Sequence, residues 1–210
     1  MRNIKKSGYT IHKKYKDTAN GLDDLQIKKE IRETLVRDQH FLCCYCMGRI
    51  EGKPDDTKIE HHMPQSLHPE LIFEFSNLLA ACKSEGTDCH CDSSKGNTRI
   101  SKNPAIDNIE ALIRYDSQGK IVTSNSEFKK DIEETLNLNQ MTLVNRRKGA
   151  LSAIKTTINK DFPGSTPNIN QVQKYITSWS KPNSNGKLPP YCQVVISYLQ
   201  KRLKSEQNSK

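Results

Sequence analysis

The sequence predicts an α+β fold in which an irregular middle, rich in cysteine and histidine, is flanked by amphipathic helices. Three observations lead there. In the C-terminal half Val144, Leu151 and Ile158 recur seven apart, the spacing of one helix face. "IRYDSQGKIV", Ile113 to Val122, alternates apolar and polar residues around a glycine-containing turn, the pattern of a β-hairpin. From about Phe41 to Ile100 neither period is sustained, and six of the seven cysteines fall there.

Each element follows from its own pattern. Asp23 to Val36 reads as the first amphipathic helix, with Leu25, Ile31 and Leu35 set among paired charges. "SNSEFKKDIEETLNL" opens with Ser124 and Glu127 at capping-box spacing, and Phe128, Ile132 and Leu136 share a face. The Val144–Ile158 helix follows, joined to it through Asn139. The Pro- and Gly-rich loops "DFPGSTPN" and "SKPNSNGKLPP" bracket a helix near Val172 to Trp179, and "CQVVISYLQKRLK" is a final helix. The chain therefore divides into a basic, helical N-terminal segment (1–40), a cysteine–histidine core with the hairpin (41–125) and a helical C-terminal region (126–210).

With 34% hydrophobic residues and a mean hydropathy of −0.77, the chain of 210 residues can bury a core but has no run near the ~18 apolar residues of a membrane helix. The opening Met-Arg-Asn-Ile-Lys-Lys lacks the apolar stretch of a signal peptide, so a cytoplasmic location is expected. The net charge of +9 is uneven. Residues 1–39 carry ten basic and six acidic side chains and residues 101–210 seventeen and nine, whereas residues 40–100 carry six and nine. Basic flanks attract polyanions, but on charge alone plain solubility is the favoured reading. An acidic centre within them suits a divalent cation next to phosphate.

An odd number of cysteines cannot pair completely, and in a reducing compartment closely spaced cysteines more often hold metal than form bridges. Zinc takes four soft or borderline ligands in a tetrahedron, which two close pairs on short loops supply. Cys43 and Cys46 form a C-x-x-C pair. The second pair lies in "AACKSEGTDCHCDSSKGN": Cys82 with Cys91 or Cys89, His90 being a conceivable substitute. Cys44 and Cys192 read as cysteines that pack. Four thiolates complete the shell, leaving His61 and His62 of "IEHHMPQS" free for other work.

The order C-x-x-C, acid-His-x-x-Pro, Asn-Leu and Cys-polar-x-x-Lys-Gly resembles that of zinc-stapled HNH endonucleases. "CCYCMGRI", "EHHMPQS", "FSNLLAAC", "CDSSKGN" and the later "LNLNQMTLVNRRKGAL" resemble in particular the PtuB-like HNH subunits of Septu and retron-associated anti-phage systems. The resemblance implies a ββα-metal core. Registered on Pro64, it makes His61 the general base, with His62 as the alternative. Asn77 orients the loop that carries His61, and Asp92 takes the third motif position. Glu60, replacing the usual Asp, and Asp92 are implied ligands of a catalytic Mg²⁺ or Mn²⁺, and Lys95 is a candidate phosphate contact.

The same resemblance implies hydrolysis of nucleic-acid phosphodiesters, DNA being favoured and RNA, such as transfer RNA, the alternative. Its implied partners are a PtuA-like ABC-type ATPase and, in some systems, a retron reverse transcriptase with its multicopy DNA. A non-catalytic zinc module that binds nucleic acid or protein is the rival class. It would keep the cysteines but have no use for Glu60, His61 and Asp92 together. His12, His40, His68 and His90 are expected to be ordinary surface histidines.

Overall fold

A computed structural model describes residues 1–8 and 25–207; His12 and the first two residues of the expected N-terminal helix lie outside them. Helix α1 spans Leu25–Asp38 and buries Ile27, Ile31 and Leu35, spaced by four, so one stripe faces the core. Leu25, assigned to that stripe from sequence, is 83% exposed, because the face runs through Ile27. The helix ends as His40 and Phe41 adopt positive φ and the Phe41 amide returns to the Val36 carbonyl at 2.9 Å.

Two antiparallel strands follow, β1 (Thr57–His61) and β2 (Leu78–Cys82), paired from Thr57 opposite Cys82 to His61 opposite Leu78. The first four residues of β2, "LLAA", are buried, the continuous apolar run of a strand covered on both faces. Cys91 then turns the chain at φ 58° into a one-turn helix, α2 (Asp92–Lys95). A second short helix, α3 (Ile109–Leu112), leads into the expected hairpin, β3 (Arg114–Tyr115) with β4 (Ile121–Val122). Its turn requires Gly119: φ is +85°, and a Cβ there would lie 3.2 Å from the Lys148 amide and the Val144 carbonyl.

The remaining elements are helical. Helix α4 (Ser126–Lys130) is capped by Asn125, whose side chain accepts from the Phe128 amide, rather than by Ser124. An Asn one residue closer to the first turn reaches the same orphan amide. The helix continues as a π-helical turn, Asp131–Thr135, and buries Phe128, Ile132 and Leu136 as expected. Helices α5 (Met141–Asp161), α6 (Ile169–Ser180) and α7 (Cys192–Gln207) complete the chain. In α5 the apolar stripe is interrupted by the fully buried Arg147, which donates to the Gly119 and Leu138 carbonyls and so fastens the hairpin to the helix.

The apolar side chains form two clusters. One gathers α1, the cysteine loop, β2 and residues Phe128 to Leu143; the other gathers α5, α6 and α7 with Leu42 and Met47 of the cysteine loop. The chain is thus α+β, with its two small sheets supported by helices. Among the described residues no helix is long and apolar enough to cross a membrane.

Candidate functional site

The thiols of Cys43, Cys46, Cys82 and Cys91 lie within 4.8 Å of one another. Cys43 to Cys91 and Cys46 to Cys82 are each 3.7 Å. A tetrahedron with zinc–sulfur bonds of about 2.3 Å has sulfur–sulfur edges of about 3.8 Å, so this spacing fits a structural metal such as zinc. The positions are built locally. Residues Cys43 to Gly48 form a tight loop closed by the Cys43 amide on the Gly48 carbonyl at 2.9 Å, and Met47 within it has φ 65°. Gly48 is needed there, since a Cβ would lie 3.2 Å from the Tyr191 hydroxyl and 3.3 Å from the Cys46 sulfur. Its amide donates to Cys46 Sγ at 3.3 Å, the kind of hydrogen bond that favours a thiolate. Cys82 closes β2, and Cys91 precedes α2.

Of the alternatives left open by spacing, Cys91 joins the cluster and Cys89 does not. Cys89 Sγ lies 3.7 Å from the Ser84 carbonyl instead. His90 is not a surface residue. It is buried, with Nδ1 3.2 Å from Cys91 Sγ and 3.8 Å from Cys82 Sγ, beside the thiols and outside their tetrahedron. Burial opposes ionisation of Cys43, but hydrogen bonds from Cys44, Cys46, Cys82 and Cys91 outweigh it and hold its pKa well below the usual thiol value. Burial and the same neighbours push Cys91 the opposite way, so the thiols titrate as one coupled group. Cys44 and Cys192 are buried elsewhere in the core.

At the other end of the β1–β2 ribbon lies a cleft of about 540 Å³, lined among others by Glu60, His61, Gln65, Asp92 and Lys95. His62 does not line it, and its Nδ1 is buried without a hydrogen-bond partner. His61 Nε2 is 3.1 Å from the Ile72 carbonyl oxygen, and its Nδ1 is 2.9 Å from Gln65 Nε2. A carbonyl only accepts, so Nε2 carries the proton; Nδ1 then holds the lone pair, which accepts from the Gln65 amide. Burial is the main force lowering the His61 pKa, so the ring is neutral at neutral pH.

Asn77 fixes the turn after His61. Its Oδ1 accepts from the Met63 amide at 2.7 Å, and its Nδ2 donates to the Met63 and Leu71 carbonyls. Its own carbonyl accepts from the His62 amide at 2.9 Å. Lys6 supports the same point from the N-terminal segment, donating to the carbonyls of Phe75 (2.8 Å) and Leu78 on either side of Asn77. Burial brings the Lys6 pKa down to about 8. No local pattern distinguishes Lys6 from its basic neighbours, and sequence reasoning missed it.

Glu60 is 2% exposed and lies against Asp92. Burial, followed by a hydrogen bond to Asp92, raises the Glu60 pKa to about 8. Burial also works against the Asp92 carboxylate, but hydrogen bonds from Glu60 and Lys58 prevail and its pKa is lowered. The two carboxyl groups therefore shift each other in opposite directions, Glu60 up and Asp92 down, and two neighbouring carboxyl groups can hold a cation between them. Lys58 pairs with Asp92 at 3.0 Å, and Tyr45 donates to Glu60 at 2.8 Å.

Lys95, the candidate phosphate contact, does not lie on the surface. It is buried, 2.9 Å from Glu60 Oε1 and donating to the His61 carbonyl at 3.0 Å, because the one turn of α2 faces the ribbon. His40 and His68 lie away from the cleft, against the Gly186 carbonyl and Glu70.

No protein-family model matches the chain. A stretch of 79 residues is 29% identical to the Septu protein PtuB of Bacillus thuringiensis. The match covers 38% of this chain and 28% of that protein's length, and it supports a PtuB-like relation for this chain.

Proposed function

We propose that this chain is a metal-dependent HNH-type endonuclease, the effector of a Septu-like anti-phage complex. The observation that carries the reading is the convergence of Glu60, His61 and Asp92 on one open cleft, with Asn77 pinning the turn beside them. A protein that used only its cysteines for structure would have no need to hold a neutral histidine next to a carboxyl pair. In this reading two antiparallel strands and the short helix α2 form a ββα-metal core stapled by zinc on Cys43, Cys46, Cys82 and Cys91.

Each group then has a task. His61 takes a proton from the attacking water at Nδ1, while the Ile72 carbonyl holds the opposite edge of the ring and fixes its tautomer. Gln65, now on that lone pair, moves aside as water and substrate enter. Glu60 and Asp92 would hold Mg²⁺ or Mn²⁺, whose charge stabilises the phosphate and the leaving oxygen. Asn77 positions the His61 turn, and Lys95 holds the Glu60 carboxyl in place before the cation arrives. The substrate is the phosphodiester of DNA or RNA, DNA being favoured.

The partial likeness to PtuB supports a place beside a PtuA-like ABC-type ATPase. A retron reverse transcriptase with its multicopy DNA is a further proposed neighbour. The defence role is tested by phage plating on cells carrying the complete system with wild type, His61→Ala or Asp92→Asn. Loss of protection in both variants, with protein levels kept, is expected. Undiminished protection by both would leave the non-catalytic module standing.

A further inference from the structure

A second cleft, of about 360 Å³, adjoins the first and shares Ile59, His61 and Gln65 with it, so the two are continuous across the histidine. Its charge is one-sided. Lys28 and Arg32, four apart on α1, line it together with Lys58 and Lys83, and among the described residues no acidic side chain does. Lys58 and Lys83 come from the stretch of the chain whose overall balance is acidic, Lys28 and Arg32 from the basic N-terminal segment. The nearby Asp56 is turned to the backbone, accepting from the amides of Glu51 (2.8 Å) and Lys53 (3.1 Å).

Arg32 supplies an independent observation. The residue is half-buried, and its Nε is enclosed with no hydrogen-bond partner among the described residues. A buried donor left unmatched is costly, and a phosphate oxygen is a strong partner for it. Lys58 links the clefts, since it lines this one and pairs at 3.0 Å with Asp92 of the other. A polyanion lying here would compete for Lys58 and release Asp92 to a cation.

We propose that this groove is a binding track for the phosphodiester backbone of a nucleic-acid strand, holding phosphates next to the one presented to His61. The proposal rests on the nuclease reading and adds the path of the substrate, with Lys28, Arg32 and Lys83 as contacts distinct from the reacting groups. Such contacts release counterions, so each cation contributes to the salt dependence of binding while adding no sequence preference.

The test is fluorescence anisotropy of the full chain carrying His61→Ala, with labelled single-stranded DNA, duplex DNA and RNA of one sequence, across a salt series. Arg32→Gln and Lys83→Gln are added singly and together, with Lys160→Gln, exposed in the last turn of α5 and lining neither cleft, as control. Lys83 is exposed, so its variant keeps the test open if Arg32→Gln does not fold. Each groove variant is expected to reduce the slope of log K against log salt by about 0.7 on single strands and about 0.9 on duplex. The control should leave it unchanged, and the arm with the steepest wild-type slope identifies the ligand. An unchanged slope in both groove variants would overturn the proposal, as would displacement of all three nucleic acids by an acidic polypeptide at equal charge concentration. Binding with these slopes by a wild-type chain whose assembled complex cleaves nothing would remove the nuclease reading and leave the track standing. Cleavage with slopes indifferent to the groove would do the reverse.

Discussion

Lys95 and Glu60 form an ion pair of 2.9 Å in which the side chains are 1% and 2% exposed. The same ammonium donates to the His61 carbonyl, so one buried charge joins α2 to the last two residues of β1. Replacing one partner of a buried pair costs about 3–5 kcal/mol when the other charge is stranded. Glu60 can escape part of that penalty by keeping its proton, since its pKa already stands at about 8. Lys95→Met should therefore destabilise the chain toward the lower end of that range at pH 8 and by less at pH 5. Combining it with Glu60→Gln should recover part of the loss. Chemical unfolding at both pH values checks this; equal losses at the two would show that Glu60 is not the group involved.

The thiol cluster defines a second expectation. One zinc per chain should co-purify, and Cys43→Ser or Cys91→Ser should give metal-free, poorly folded protein, because metal binding supplies folding energy in such a site. Cys89→Ser should keep both metal and fold. Elemental analysis of the three variants separates the outcomes, and loss of zinc from Cys89→Ser would reassign the fourth ligand.

His62 governs a pH dependence. Burial is the largest force on it, with Lys95 next, and its pKa is pushed down to about 4 from an ordinary 6.5. The folded state therefore favours the neutral ring. The stability this gives is fully present above pH 6.5 and is lost as pH falls from there toward 4. His62→Met should flatten the decline over that window. Thermal unfolding from pH 7 to 4 measures it, and an unchanged slope in the variant would place the acid sensitivity elsewhere.

Gln65 bears on the proposed base, His61. Its amide donates to the His61 lone pair, a bond available only while the ring is neutral, so it opposes protonation in the same direction as burial. Gln65→Ala should raise the His61 pKa. It should also shift the acid limb of the pH–rate profile upward, while activity at pH 8 stays close to wild type. Ring-proton titration by NMR reports the shift without requiring turnover; an unshifted His61 would show that the contact has no electrostatic weight.

The elements differ in how far the sequence reveals them, for physical reasons. Cysteine spacing is local chemistry, and it pointed to the four thiols that the fold brings together, although choosing Cys91 over Cys89 needed the turn before α2. Helical periods were legible in α5 because Val144, Leu151 and Ile158 pack as a stripe; Leu25 misled because the stripe of α1 runs through Ile27. Lys95 and Lys6 were illegible as structural groups. Their partners lie on distant parts of the chain, and no periodicity encodes a lysine that turns inward to meet Glu60 or the carbonyls around Asn77. Gln39 escaped notice for the same reason. It bonds the Ala80 amide and carbonyl of β2 and the Leu42 carbonyl, joining α1 to the ribbon and the cysteine loop.

The most direct test of the account is cleavage by the purified chain, alone and with the proposed ATPase partner, of plasmid DNA and of structured RNA with Mg²⁺, with Mn²⁺ and with chelator. Divalent-dependent scission by wild type is expected, reduced about 10²–10⁴-fold in zinc-replete His61→Ala and likewise diminished in Asp92→Asn. Scission of equal rate in wild type and zinc-replete His61→Ala, or none by the assembled wild-type complex on either nucleic acid, would contradict it.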